Sequence, residues 1–217
     1  QDWWVYHRNA NEDGGGDPTA SNFADINLSA VGASLGSFSL DSGDSNDTIS
    51  ITSSLDIGPI TIDGGADVDT VTVALAGLTV SGDLDITADN VVVDGPIDTS
   101  VADGLIMLTA DTGNLVLAKI DDILKAGAGD VTISAAAGDI TALDVTGDVG
   151  VEILTTGTVS LTAQTIGTAA NRVSVAGATS LNINDTGGAA TGAVDIEELT
   201  ASTIAATNIT VDTADAG

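Results

Sequence analysis

Cysteine is absent from the 217 residues, which excludes disulfides, zinc–thiolate sites and thiol nucleophiles together. Aromatic residues are almost as scarce. Trp3, Trp4 and Tyr6 fall within the first six positions, leaving only Phe23 and Phe38 for everything after them. Compact globular cores usually hold large rings near their centre. A long, thin core lined by Ala, Val, Ile and Leu does not need them. Basic residues are also few: Arg8, Lys119, Lys125 and Arg172 stand against 32 Asp and Glu, giving a formal net charge of −28. Such a balance repels nucleic acid and anionic membrane surfaces. The sequence contains no run of eighteen apolar residues and no basic segment ahead of a hydrophobic one, so it shows neither a membrane span nor an uncleaved signal peptide. Because it starts with Gln1 rather than Met, we read it as a processed mature chain or a segment of something longer. The expected location is extracellular or on a cell surface.

What remains is small, aliphatic and acidic. Nearly all the acid is Asp, which favours turns, rather than Glu, which favours helices. From Ile26 onward a small or acidic turn residue is repeatedly followed by an alternating run: "NDTISI" (46–51), "VDTVTV" (68–73), "ADNVVV" (88–93), "TGNLVLA" (112–118), "AGDVTISA" (128–135), "TGTVSLTA" (156–163) and "NRVSVAG" (171–177). Period-two patterning of Val, Ile and Thr between Gly, Asp and Asn predicts half-buried strands. "LAKIDDILKAG" (117–127) is the one stretch that reads as an amphipathic helix.

Asp47, Asp69 and Asp89 each precede such a run, at intervals of about twenty residues, which suits one turn of a β-solenoid. The expectation is an all-β parallel β-helix of about nine or ten irregular coils, on the order of 45 Å long at about 4.8 Å per coil. Residues 1–21 form an aromatic arm and glycine-rich joint on this reading, and residues 22–217 the solenoid. An antiparallel β-sandwich is the alternative. It calls for frequent hairpin dipeptides, yet Asn-Gly is absent and Asp-Gly occurs only at Asp13, Asp63, Asp94 and Asp103.

Residues 155–184, "TTGTVSLTAQTIGTAANRVSVAGATSLNIN", resemble the repeats of large secreted bacterial adhesins of the filamentous haemagglutinin type, and the likeness extends over 105–211. It implies a β-solenoid surface protein. A narrower stretch, Gly64, Gly65, Asp69 and Val71, with Gly43, Asp47 and Ile49 one repeat earlier, is similar to the calcium-binding nonapeptide repeats of secreted RTX proteins. That resemblance implies Ca²⁺ between successive coils, held by Asp44, Asp47, Asp67 and Asp69. Asp67 stands where the pattern has Gly or Asn, and the two copies lie twenty-two rather than eighteen residues apart. Solvated turn aspartates are the other reading of the same residues.

Enzyme chemistry finds little purchase. Polysaccharide lyases and hydrolases, which also use β-solenoids, need a base beside a neutralised carboxylate or two carboxylates facing a groove. The four basic residues and the lack of aromatic sugar platforms argue against both, Asp121 and Asp122 would face opposite ways on a strand, and His7 has no nucleophile singled out beside it. The sequons at Asn27, Asn184 and Asn208 are candidate glycan acceptors; a fourth, Asn46, falls in the calcium-like corner.

"WWVYHR" at the N-terminus is the strongest candidate contact. Trp and Tyr dominate binding hot spots, and two tryptophans left in water are unfavourable by several kcal/mol. Trp3, Trp4, Val5 and Tyr6 are therefore expected either to cap their own first coil or to enter a neighbouring subunit. The function this suggests is structural: a filament subunit or adhesin repeat segment joining copies head-to-tail, with a calcium-dependent adhesion or glycan-binding module as the alternative.

Overall fold

The computed structural model, which describes residues 3–6, 36–52, 57–74, 76–118, 123–142, 150–187, 194–198 and 209–213, is an all-β parallel solenoid with up to three strand-bearing faces per coil. The first face stacks β1 (Trp3–Tyr6), β2 (Phe38–Asp41), β4 (Ile60–Asp63), β7 (Leu84–Ala88), β10 (Ile106–Ala110), β13 (Val131–Ala142), β15 (Thr158–Ile166), β17 (Ser180–Asp185) and β19 (Ile209–Thr213). The second stacks β3 (Thr48–Ile51), β5 (Thr70–Val73), β8 (Asn90–Val93) and β11 (Leu115–Leu117), then the C-terminal halves of β13 and β15. The third carries β6 (Leu78–Thr79), β9 (Ile97–Asp98), β12 (Leu124–Gly127), β14 (Ile153–Thr155), β16 (Val173–Ala176) and β18 (Ile196–Glu198).

All these pairings are parallel, which rules out the sandwich. About six turns carry the third face, rather than the nine or ten coils expected, while the first face alone stacks nine strands among the described residues. The step between stacked residues is not a constant twenty but ranges from 19 (Leu78 to Ile97) to 35 (Trp3 to Phe38).

Alternation explains why the strands form. Along β3 burial runs exposed, buried, exposed, buried, and β7 and β10 each bury their first, third and fifth residues. Register then aligns the inward positions into columns. Ile60, Leu84, Ile106, Val131, Val159 and Leu181 follow one another up the first face, and Val71, Val91, Leu115 and Ile140 up the second. Leu84, Ile106, Val131, Val159, Val71, Val91, Leu115 and Ile140 are all completely buried. Among the residues whose burial is described, Phe38 is the only ring in this core, which is otherwise aliphatic.

The described part of the region expected to be helical is not. Leu117 closes β11 and Leu124 opens β12, so the described ends of that stretch are strands. Among the described residues there is no helix at all.

Coils approach closely where the third face turns back to the first. A Cβ on Gly104 would lie 2.1 Å from the carbonyl oxygen of Gly82, and one on Gly129 would lie 2.2 Å from that of Gly104. Only a residue without a side chain fits such a column.

Candidate functional site: an aspartate column and the solenoid ends

The corner between the first and second faces is built by two stacked loops of equal length, Ser42–Asp47 and Gly64–Asp69. Each follows an aspartate that accepts a hydrogen bond from two residues on, Gly43 N–H to Asp41 Oδ1 and Gly65 N–H to Asp63 Oδ1, both at 2.9 Å. Each then passes through two positive-φ residues, Gly43 and Ser45 below, Gly65 and Asp67 above. The loops are sewn together by side chains. Ser45 N–H donates to Asp67 Oδ2 at 3.0 Å, and Val68 N–H donates to Asn46 Oδ1 at 3.1 Å.

Because Thr48 is in register with Thr70, and Thr70 with Asn90, the preceding residues Asp47, Asp69 and Asp89 form one column. Asp47 N–H donates to Asp69 Oδ1 (2.7 Å) and Asp69 N–H to Asp89 Oδ2 (2.9 Å), while the Thr112 hydroxyl donates to Asp89 Oδ1. All three side chains are buried, with 4, 1 and 7 per cent of their surface exposed. Three of the six carboxylate oxygens, Asp47 Oδ1, Asp47 Oδ2 and Asp69 Oδ2, accept no hydrogen bond. Gly64 closes over this column so tightly that a Cβ on it would fall 3.2 Å from Asp69 Oδ2.

Burial pushes the Asp69 carboxyl above its usual range; the Asp47 N–H pulls the other way, and the charges of Asp47, Asp89 and Asp67 push further up. Asp89 is held low by the Thr112 hydroxyl and the Asp69 N–H. Nearby, burial raises Asp111, helped by Asp89 and Asp63, and raises Asp85, helped by Asp63. Asp85 Oδ1 is likewise buried without a partner. Such carboxyls ionise with difficulty unless a proton or cation compensates them.

Of the four residues expected to ligate calcium, the fold brings Asp47 and Asp69 together in the buried column, whereas Asp44 and Asp67 lie exposed on the loops outside it. Among the described residues no group of three or more His, Cys, Asp or Glu is arranged to hold a metal ion. Asp89 belongs to the column although its loop is shorter, and its spacing of twenty from Asp69 was the available signal.

The same device recurs where no motif announces it. Leu105 N–H donates to Asp83 Oδ1 (2.8 Å), Ala128 N–H to Asp103 Oδ1 (2.8 Å) and Thr158 N–H to Asp130 Oδ1 (2.7 Å) at the corner entering the first face. Asn114 N–H donates to Asn90 Oδ1 and Asp139 N–H to Asn114 Oδ1 at the other. At a corner the backbone N–H leaves the strand ladder, and a buried unpaired donor is costly. Asx side chains one coil away supply the acceptor.

At the ends, β1 pairs with β2 in the register Trp3 to Phe38 and Val5 to Leu40, so the aromatic arm continues the first face as a strand. β19 ends the same stack on β17. Asn184 is exposed on β17; Asn27 and Asn208, like the boundary placed at residue 21, lie outside the described residues. No helix is long and apolar enough to cross a membrane among the described residues.

Compared with protein-family models, curated proteins and solved structures, the chain gives no match. Fold and corners define an acidic parallel β-solenoid whose coils are cross-linked by Asx side chains.

Proposed function

We propose that the chain is a structural protein, a subunit of an extracellular filament or a repeat segment of a surface adhesin, joining copies head-to-tail through β1 and the solenoid ends. One observation carries this reading. Among the described residues β1 and β19 each have a single strand partner and terminate the nine-strand first face at opposite ends. Open parallel edges are templates for further pairing. Two different edges make a heterologous contact, which propagates instead of closing. The partner is the chain itself; the net charge disfavours nucleic acid and anionic lipid, and Asn27, Asn184 and Asn208 are available as glycan acceptors. Negative-stain microscopy of the purified chain tests this, with long unbranched fibres expected both with and without a chelator. Uniform short rods under all conditions would defeat it.

The unpartnered oxygens of Asp47 and Asp69 favour a second reading, a calcium-dependent adhesion or glycan-binding module. Ca²⁺ takes six to eight hard oxygens, and here two carboxylates and turn carbonyls would supply part of the set. On this reading Ca²⁺ raises the unfolding temperature of the wild type and not of Asp47→Asn, and the chain remains a short rod.

A further inference from the structure

The first face carries more information than its two terminal strands, because among the described residues its register runs unbroken from one to the other. Stacked positions can be followed through every strand: Tyr6, Asp41, Asp63, Thr87, Thr109, Ser134, Thr162, Asn184 and Asp212 form one column. The neighbouring column starts at Val5 and Leu40 and ends at Ile183 and Val211. Aliphatic positions at the last strand therefore occupy the column that aliphatic positions occupy at the first.

We propose that a second copy of this chain adds its β1 directly onto β19 in the same register, Trp3 beside Ile209, Val5 beside Val211 and Tyr6 beside Asp212, so that one parallel sheet continues through the filament. This rests on the end-to-end assembly proposed above and fixes its geometry. Continuity with the coil-to-coil contact already present is the main argument, since a tenth strand in this register meets the column that the ninth extends. Charge is the second. If β19 met β2 without β1 between them, Asp212 would face Asp41, adding a like-charge pair to the Asp41–Asp63 neighbours already in the chain, and opposed like charges destabilise a sheet. Tyr6 interposes an uncharged residue in that column. Each copy then advances the filament by nine strand spacings, about 43 Å at roughly 4.8 Å each.

The lack of native cysteine makes the register directly readable. In a Tyr6→Cys, Asp212→Cys double variant the two positions of adjacent copies would be about 5 Å apart at Cα, within disulfide range; in Tyr6→Cys, Thr210→Cys they would be about 8 Å apart, outside it. Within one copy the two ends lie too far apart to bridge. Oxidised fibres of the first variant are expected to give a ladder of covalent oligomers on non-reducing gels, at least ten-fold stronger than the second. Cryo-microscopy of wild-type fibres is expected to give an axial repeat near 43 Å. Fibres whose control pair cross-links equally well, or whose repeat departs from nine strand spacings, overturn the register while leaving end-to-end assembly standing. If the wild type forms no fibres, the assembly reading falls and this inference with it.

Discussion

At the residue scale the most consequential side chain is Asp69, buried at 1 per cent exposure between two other carboxylates. Its pKa, like those of Asp85 and Asp111, is raised in the folded state above the ordinary 3.8. A carboxyl with a raised folded pKa binds its proton more tightly folded than unfolded, so acidification from neutral pH stabilises the fold through that group, and the gain is complete only below 3.8. Asp89 is shifted the other way, so its contribution is present above 3.8 and is lost as pH falls through its lower folded value. The urea midpoint should therefore rise as pH drops from 7 toward the upper edge of the carboxylate range, then fall at still lower pH. Asp69→Asn should flatten the rise, because it removes one titrating group while keeping an oxygen for the Asp47 N–H. A midpoint that falls steadily from pH 7 would contradict this. Gly104 is the second sensitive position. Its Cβ would collide with the Gly82 carbonyl, so Gly104→Ala should cost about 1–3 kcal/mol in equilibrium unfolding.

At the scale of the strand, β10 offers the cleanest contrast. Ile106 is completely buried, while Met107 is half-exposed on the opposite side. Ile106→Ala should cost roughly 2–5 kcal/mol, and Met107→Ala should stay within about 0.5 kcal/mol, both read from chemical denaturation. This alternation was legible from the amino acids, since "TISI" and "TVTV" place every apolar residue on one side and a single buried face is all a solenoid strand needs. The stretch 117–127 misled for an equally physical reason. Leu117, Ile120, Ile123 and Leu124 have helical spacing, but Ile123 and Leu124 are both fully buried at the entry to the third face, where a corner hides consecutive residues. The expected nine or ten coils exceed the six full turns because the coils at the two ends carry no third-face strand among the described residues. Asp47 and Asp69 could be paired from their shared motif, and Asp89 from its spacing. Asp83, Asp103 and Asp130 could not, because the step from Asp83 to Asp103 is twenty and that from Asp103 to Asp130 is twenty-seven, so only the register reveals that they perform one task.

At the scale of the whole molecule, a net charge of −28 pulls against two sheet edges that, among the described residues, carry no further strand. The edges favour addition of another copy, and the charge repels it. Acid concentrated at corners, with Thr, Ser and Asn at many outward strand positions, leaves the stacking direction the least obstructed approach. Assembly followed by light scattering should accordingly run several-fold faster at about 150 mM salt, where charges are screened beyond about 8 Å, than at about 10 mM, where screening extends to about 30 Å. If this solenoid is a building block joined end to end through its aromatic first strand, removing residues 1–8 should abolish polymerisation. The shortened chain is then expected to stay as single short rods, by electron microscopy, at concentrations where the full chain has formed long fibres. Fibres of equal length and number from both would show that the first strand is not the joint.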